Sequence, residues 1–221
     1  WNSVNNGPMQ LPVLSVVIDP NMPTTLYVGS LTGLYRSMDG GKNWKNVFQD
    51  MNVRYVSTVA MDSTSTTLYA GTTDGIYEIT SRELVNIGLS ANADRFLVID
   101  PAMPSTIYAG TYNGVFKSID GGENWHAVLP YSNVSVLAIN PAMPSILYAG
   151  TGEGVFKSLD GGNNWTTVSN GQAVVDVNSL AIDPLTPSII YAGTSTGVFK
   201  STDNGESWNS VNTGLIAQSV L

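Results

Sequence analysis

Carboxylates are the residues of this chain best suited to chemistry. The 221 residues hold 17 Asp plus Glu against nine Lys plus Arg, for a formal net charge of −8. Hydrolysis of a glycosidic bond by paired carboxylates needs two acids facing each other across a cleft, about 5–10 Å apart. Most acids here fall at repeated positions instead. Asp39, Asp120, Asp160 and Asp203 recur in one kind of turn. Asp19, Asp62, Asp100 and Asp183 recur in another, where Asn140 takes the fourth place. Asn replaces the acid there, so a turn role without a need for charge is expected. Asp50, Asp74, Asp94, Glu153 and Asp176 lie outside these repeats, and spacing alone pairs none of them. His126 is the only histidine, which excludes a multi-His metal site and a His-based triad. Its counterparts Lys45, Thr166 and Asn209 are polar, so a solvent-facing place is expected.

Bulk composition narrows the field further. The chain has no cysteine, which removes disulfides, thiolate metal sites and Cys nucleophiles. No clustered basic face is visible, so neither nucleic acid nor an anionic membrane surface is an expected partner. No apolar run approaches a membrane span, and no membrane insertion is expected. A Cys-free chain rich in Ser, Thr, Asn and Gly suits an extracellular or cell-surface location. The chain starts at Trp1 with no signal peptide, and is read as a processed product or the ordered part of something longer. Asn133-Val-Ser135 and Asn164-Trp-Thr166 fit the glycosylation sequon, with chance occurrence the expectation.

The elements that position these residues repeat. The line Leu26-Tyr27-Val28-Gly29 returns around Tyr69, Tyr108, Tyr148 and Tyr191, at spacings of 42, 39, 40 and 43 residues. That period matches a four-stranded propeller blade. Each repeat reads as an apolar strand a, a Pro-rich turn, strand b with the Tyr line, a Gly-flanked hairpin, strand c, a Gly-Gly turn and strand d. No helical periodicity intervenes, so an all-β chain is expected.

The turn between strands c and d carries the most specific pattern. It reads Ser37-x-Asp39-x-Gly41-x-x-Trp44, then Ser118, Asp120, Gly122 and Trp125, then Ser158, Asp160, Gly162 and Trp165, then Ser201, Asp203, Gly205 and Trp208. The Asp is expected to accept backbone N–H groups two or three residues on, the glycines to supply positive φ, and the Trp to bury its ring. The second repeat, Thr80-Ser81-Arg82-Glu83-Leu84, is shorter and lacks the pattern.

This turn resembles the Asp-box, or BNR repeat, of sialidases, sortilin-type receptors, xyloglucan-active hydrolases and photosystem II assembly factors. The resemblance covers nearly the whole chain. It implies a β-propeller of four-stranded antiparallel blades, here five, spanning roughly 13–48, 55–87, 95–129, 134–169 and 177–211 in a single domain. It also implies that these turns lie at the blade periphery. Sialidase chemistry, by the same resemblance, needs three converging arginines, and this chain has four in all. Arg82 lies in the degenerate turn and Arg36 on strand c, which leaves Arg54 and Arg95 in loops that could reach the opposite face. Sialidase activity is not expected.

The strand d-to-a connections differ in length and content while the turns are near copies. Variable loops on a rigid scaffold are where binding concentrates. Arg54, Tyr55, Arg95, Tyr131, Asn133 and Asn178, with Tyr112 and Glu153 on neighbouring hairpins, are the candidate binding residues, expected near the mouth of a central channel. Their types suit a protein partner or a glycan. The leading expectation is a binding or assembly scaffold that is not an enzyme and needs no cofactor. The alternatives are a carbohydrate-active propeller, hydrolase-like or lectin-like, and a fragment of a larger repeat surface protein.

The two ends nearly coincide. WNSVNNGPMQLPVL at 1–14 and WNSVNTGLIAQSVL at 208–221 share eight of fourteen positions. Ring closure with Trp208–Val211 as the outer strand of the last blade is expected, because a local hairpin costs little loop entropy. Residues 1–7 are then a spare copy, able to mediate self-association. An array boundary within a longer repeat is the other reading.

Overall fold

The computed structural model describes residues 12–47, 55–64, 66–80, 84–89, 96–130, 132–168 and 174–215. These residues form twenty strands in five four-stranded antiparallel sheets, and no helix is found among them. Sheet 1 joins β1 (Val13–Ile18), β2 (Leu26–Ser30), β3 (Gly33–Ser37) and β4 (Lys45–Asn46). Sheet 2 joins β5 (Val56–Met61), β6 (Leu68–Thr72), β7 (Gly75–Ile79) and β8 (Leu84–Asn86). Sheet 3 joins β9 (Phe96–Ile99), β10 (Ile107–Thr111), β11 (Gly114–Ser118) and β12 (His126–Pro130). Sheet 4 joins β13 (Val134–Ile139), β14 (Leu147–Thr151), β15 (Gly154–Ser158) and β16 (Thr166–Thr167). Sheet 5 joins β17 (Val177–Ile182), β18 (Ile190–Thr194), β19 (Gly197–Ser201) and β20 (Asn209–Ser210). In every sheet the strands lie side by side in chain order.

The chain divides into two compact units. Unit 1 is Trp1–Ile99, Met103–Ile107 and Ser118–Trp125; unit 2 is Asp100–Ala102, Tyr108–Lys117 and His126–Leu221. The repeated glycine of the Tyr line has a packing reason in both. A Cβ on Gly29 would stand 2.6 Å from the Val56 carbonyl, and one on Gly150 would stand 2.6 Å from Val177 Cγ1. The first valine of one sheet's inner strand therefore sits directly on the second strand of the sheet before it. Val56, Val134 and Val177 are fully buried as a result. In unit 1, Leu34, Val56, Val59, Leu68 and Ala70 form one such inter-sheet core.

The inner strands share a second feature. The register slips after the first residue in β1, β5, β13 and β17, between Val134 and Val136 for example. A bulge there adds twist and re-aims the residues beside it. The residue just before that bulge is Tyr55 ahead of β5 and Asp176 ahead of β17. Both hold positive φ, at 55° and 51°. At the far end β20 pairs with β19, so Asn209–Ser210 is the outer strand of sheet 5. Residues 1–7, the expected spare copy, lie outside the described residues.

Candidate functional site

Two ends of each sheet carry polar side chains, and they are built differently. At one end lie the Ser-x-Asp turns. Asp160 Oδ1 accepts the Asn164 N–H at 2.8 Å and the Ser158 hydroxyl at 2.9 Å, while Oδ2 accepts Asn164 Nδ2 at 2.6 Å. Ser158 Oγ in turn accepts the buried Gly162 N–H at 2.8 Å. Asp39, Asp120 and Asp203 repeat this with Ser37, Ser118 and Ser201. The carboxylate therefore reaches the N–H four residues on, one or two further than the sequence suggested, because the serine takes the nearer donors. The side-chain donor at that fourth place, Asn43, Asn124, Asn164 or Ser207, is the main reason all four carboxyls sit at about 2, below their ordinary 3.8.

The tryptophan ring nitrogens of these turns have different partners. Trp125 Nε1 donates to the Ile87 carbonyl at 3.0 Å, and Trp165 Nε1 donates to Gly162 at 2.9 Å. Trp208 is buried, and its Nε1 is one of two buried side-chain polar atoms left without a partner among the described residues. The neighbouring turn acids behave as the Asn140 exchange implied. Asp183 Oδ1 accepts Leu185 and Thr186 N–H groups, and Asn140 Oδ1 accepts those of Ala142 and Met143. His126 is exposed on β12. No cluster of His, Cys, Asp and Glu able to hold a metal is found among the described residues.

The other end holds the hairpins and the d-to-a connections. In unit 2, Asp176 N–H donates to the Gly152 carbonyl at 3.1 Å, which ties the connection before sheet 5 to the β14–β15 hairpin. Its Oδ2 accepts the Ser195 hydroxyl at 3.1 Å. A Cβ on Gly152 would stand 3.7 Å from Asp176 Oδ1, so the carboxylate lies over that hairpin. Glu153 is the next residue, exposed, with its N–H on Thr151 Oγ1 at 3.1 Å. Two exposed carboxylates are thus brought to one hairpin. Tyr112 stands exposed at the tip of the β10–β11 hairpin, Asn133 exposed just before β13, and Asn178 at the second place of β17. In unit 1, Tyr55 makes the matching bond, its N–H on the Leu31 carbonyl at 3.2 Å, and its ring is 41% exposed.

Positive φ on a Tyr or an Asp is a strained choice for non-glycine residues and costs on the order of 1–3 kcal/mol. The Tyr55 ring is exposed, and the Asp176 carboxylate lies over the Gly152 hairpin. Arg54, Arg95 and Tyr131 lie outside the described residues. Ser195 was not among the expected residues, because its partner on Asp176 is 19 positions away and no local pattern marks it.

No family model matches the chain, and no curated protein matches it in sequence. Solved structures do match in fold. A GH74 enzyme described as ancestral superposes at TM-score 0.81 with 23% identity, covering 99% of this chain and 33% of that one. The fold is a β-propeller. A GH74 xyloglucanase from Xanthomonas campestris matches at TM-score 0.64 and 14% identity, over 94% of this chain and 46% of that one. The extracellular domain of a one-component system from B. thetaiotaomicron matches at 0.70 and 16%, over 86% and 27%. The propeller described here thus spans less than half the length of each neighbour. These neighbours correct the expectation that the chain is not an enzyme: three of the most similar solved structures are GH74 enzymes, glycoside hydrolases. That expectation rested on the lack of an acid pair readable from spacing. The fold brings Glu153 and Asp176 to one hairpin, which linear spacing could not reveal.

Proposed function

We propose that this chain is the propeller part of a carbohydrate-active protein and engages polysaccharide across its hairpin end. The observation that carries the reading is the acidic pair Glu153 and Asp176, held on one hairpin of unit 2 by the Asp176–Gly152 backbone bond. Carboxylates accept hydrogen bonds from sugar hydroxyls, and an exposed aromatic such as Tyr112 offers an apolar face for a ring. Where two such acids face one glycosidic oxygen, they also supply the acid and base of hydrolysis. The xyloglucanase and the ancestral GH74 enzyme support this class of ligand. The four Ser-x-Asp turns fit Asp-boxes with a structural role, since their carboxylates are spent on turn donors.

An extracellular place fits this reading, and the extracellular sensor domain among the neighbours supports it. That neighbour also favours a second reading, a binding or assembly module whose exposed Tyr55, Tyr112 and Asn133 meet a protein partner. A glycan array, followed by xyloglucan and sialoside titration, separates the two. Polysaccharide binding or turnover that falls on Glu153→Gln or Asp176→Asn supports the first reading. Full retention in both variants, or no glycan bound at all, rejects it.

A further inference from the structure

Within unit 2, two sheets in succession grip the turn of the sheet that follows. Tyr108 Oη on β10 and Lys117 Nζ on β11 both donate to the Gly161 carbonyl of sheet 4, at 2.9 and 2.7 Å. Tyr148 Oη on β14 donates to the Asn204 carbonyl of sheet 5 at 3.1 Å. Its cross-strand partner Lys157 pairs with Glu206, two residues on in the same turn, at 3.1 Å. Gly161 and Asn204 hold the same place, directly after the Asp of the Ser-x-Asp turn. Sheet 5 carries the pair once more as Tyr191 and Lys200, cross-strand partners with the ammonium 5.4 Å from the ring centre. Tyr191 is 37% exposed there, while Tyr108 and Tyr148 are buried at 1% and 0%. Residues 174–215, which hold all of sheet 5, are described without a break.

Sheet 1, in unit 1, has the matching half. Its turn puts Gly40 in the place of Gly161 and Asn204 and anchors it alike. The Gly40 N–H donates to the Thr24 carbonyl at 2.9 Å, as Gly161 does to Ser145 at 2.8 Å and Asn204 to Ser188 at 3.0 Å. On β1, Val16 pairs with Val28 in the register that pairs Leu137 with Ala149. Leu137 lies against Gly110 of the sheet before and is 5% exposed. Val16 is 62% exposed, and Ile18, two residues on, is 56% exposed. We infer that sheet 5 of one copy of this chain receives sheet 1 of a second copy, head to tail. Tyr191 and Lys200 then donate to the second copy's Gly40 carbonyl, and Val16 and Ile18 lose their exposed apolar surface. The match selects the partner, because the chain supplies both the donors and a turn of the kind they hold elsewhere. The two patches differ, so the contact is heterologous and each copy keeps one half free. One place departs from the contacts inside unit 2. Lys42 stands where Glu206 stands in sheet 5, so Lys200 meets a like charge across the new contact. The inference does not rest on the polysaccharide reading of the hairpin end.

Sedimentation velocity over a wide range of protein concentration tests it. The chain is expected to associate reversibly, with species larger than a dimer at the highest concentrations. Val16→Glu spoils the sheet 1 half and Tyr191→Ala the sheet 5 half, and each variant alone is expected to stay monomeric. Mixed together they are expected to form a one-to-one dimer and nothing larger, since each keeps the half that the other has lost. Lys42→Glu sits on an exposed turn position and recreates the Lys157–Glu206 pairing across the contact. It is expected to tighten association by up to about fivefold, and it keeps the test open should either of the other variants fail to fold. A chain that is monomeric at every concentration overturns the inference. So does association that Val16→Glu and Tyr191→Ala leave unchanged, a mixture of the two that stays monomeric, or association that Lys42→Glu does not tighten.

Discussion

Replacing Ser158 with Ala tests how the Ser-x-Asp turns hold the propeller. Ser158 is buried, at 1% exposure, and its hydroxyl oxygen accepts the Gly162 N–H at 2.8 Å. It also accepts the Asp160 N–H at 3.3 Å and donates to Asp160 Oδ1 at 2.9 Å. Alanine removes all three. The Gly162 N–H is the decisive loss, since Gly162 is itself buried, and a Cβ added there would stand 3.0 Å from the Tyr108 ring of the preceding sheet. A buried donor left without an acceptor costs about 1–3 kcal/mol. For a chain of this length that corresponds to a fall in Tm of about 2–12 °C. Urea denaturation followed by tryptophan fluorescence reads it, since Trp165 closes the same turn. The midpoint is expected to drop with an unchanged slope, and glycan binding is expected to stay intact. A midpoint equal to that of the unsubstituted chain would refute the reasoning, because it would mean the turn does not depend on the serine.

Asp120→Ala is expected to lower the denaturation midpoint without changing ligand affinity; lost binding at an unchanged midpoint would reverse the structural assignment. Acid titration should show the four turn carboxyls together. Their folded value is about 2 against an ordinary 3.8, so their contribution is present above about pH 4 and is lost as pH falls through 2; a flat stability profile across that window contradicts it. Tyr108 and Tyr148 are pushed up to about 12 by burial, so the neutral phenols are favoured on folding. Their contribution holds below pH 10 and is lost as pH rises toward 12, which phenolate absorbance during alkaline unfolding follows. Thermal melts with and without EDTA should coincide, and a chelator-sensitive melt would reveal a structural metal.

Much of the architecture was legible because the chain repeats it. The Tyr line fixed the period, while the packing of Val56, Val134 and Val177 on its glycines Gly29, Gly110 and Gly150 came only with the structure. The Asn140 exchange pointed to a turn role for that position, and Asp183 and Asn140 both accept turn N–H groups. Two features were not legible, each for a physical reason. The positive φ of Tyr55 and Asp176 belongs to residue types that give no local signal for it. The approach of Asp176 to the Gly152 hairpin depends on sheet-to-sheet packing over 24 residues of chain.

The most direct measurement of the central claim is calorimetric titration of the chain with xyloglucan oligosaccharides and a panel of neutral and acidic polysaccharides, beside Glu153→Gln and Asp176→Asn. At least one polysaccharide is expected to bind, and each substitution to weaken that binding about tenfold, consistent with the loss of one charge-assisted hydrogen bond. Binding that both variants retain in full, or a chain that binds no polysaccharide while capturing a protein ligand through Tyr55 or Tyr112, would contradict it.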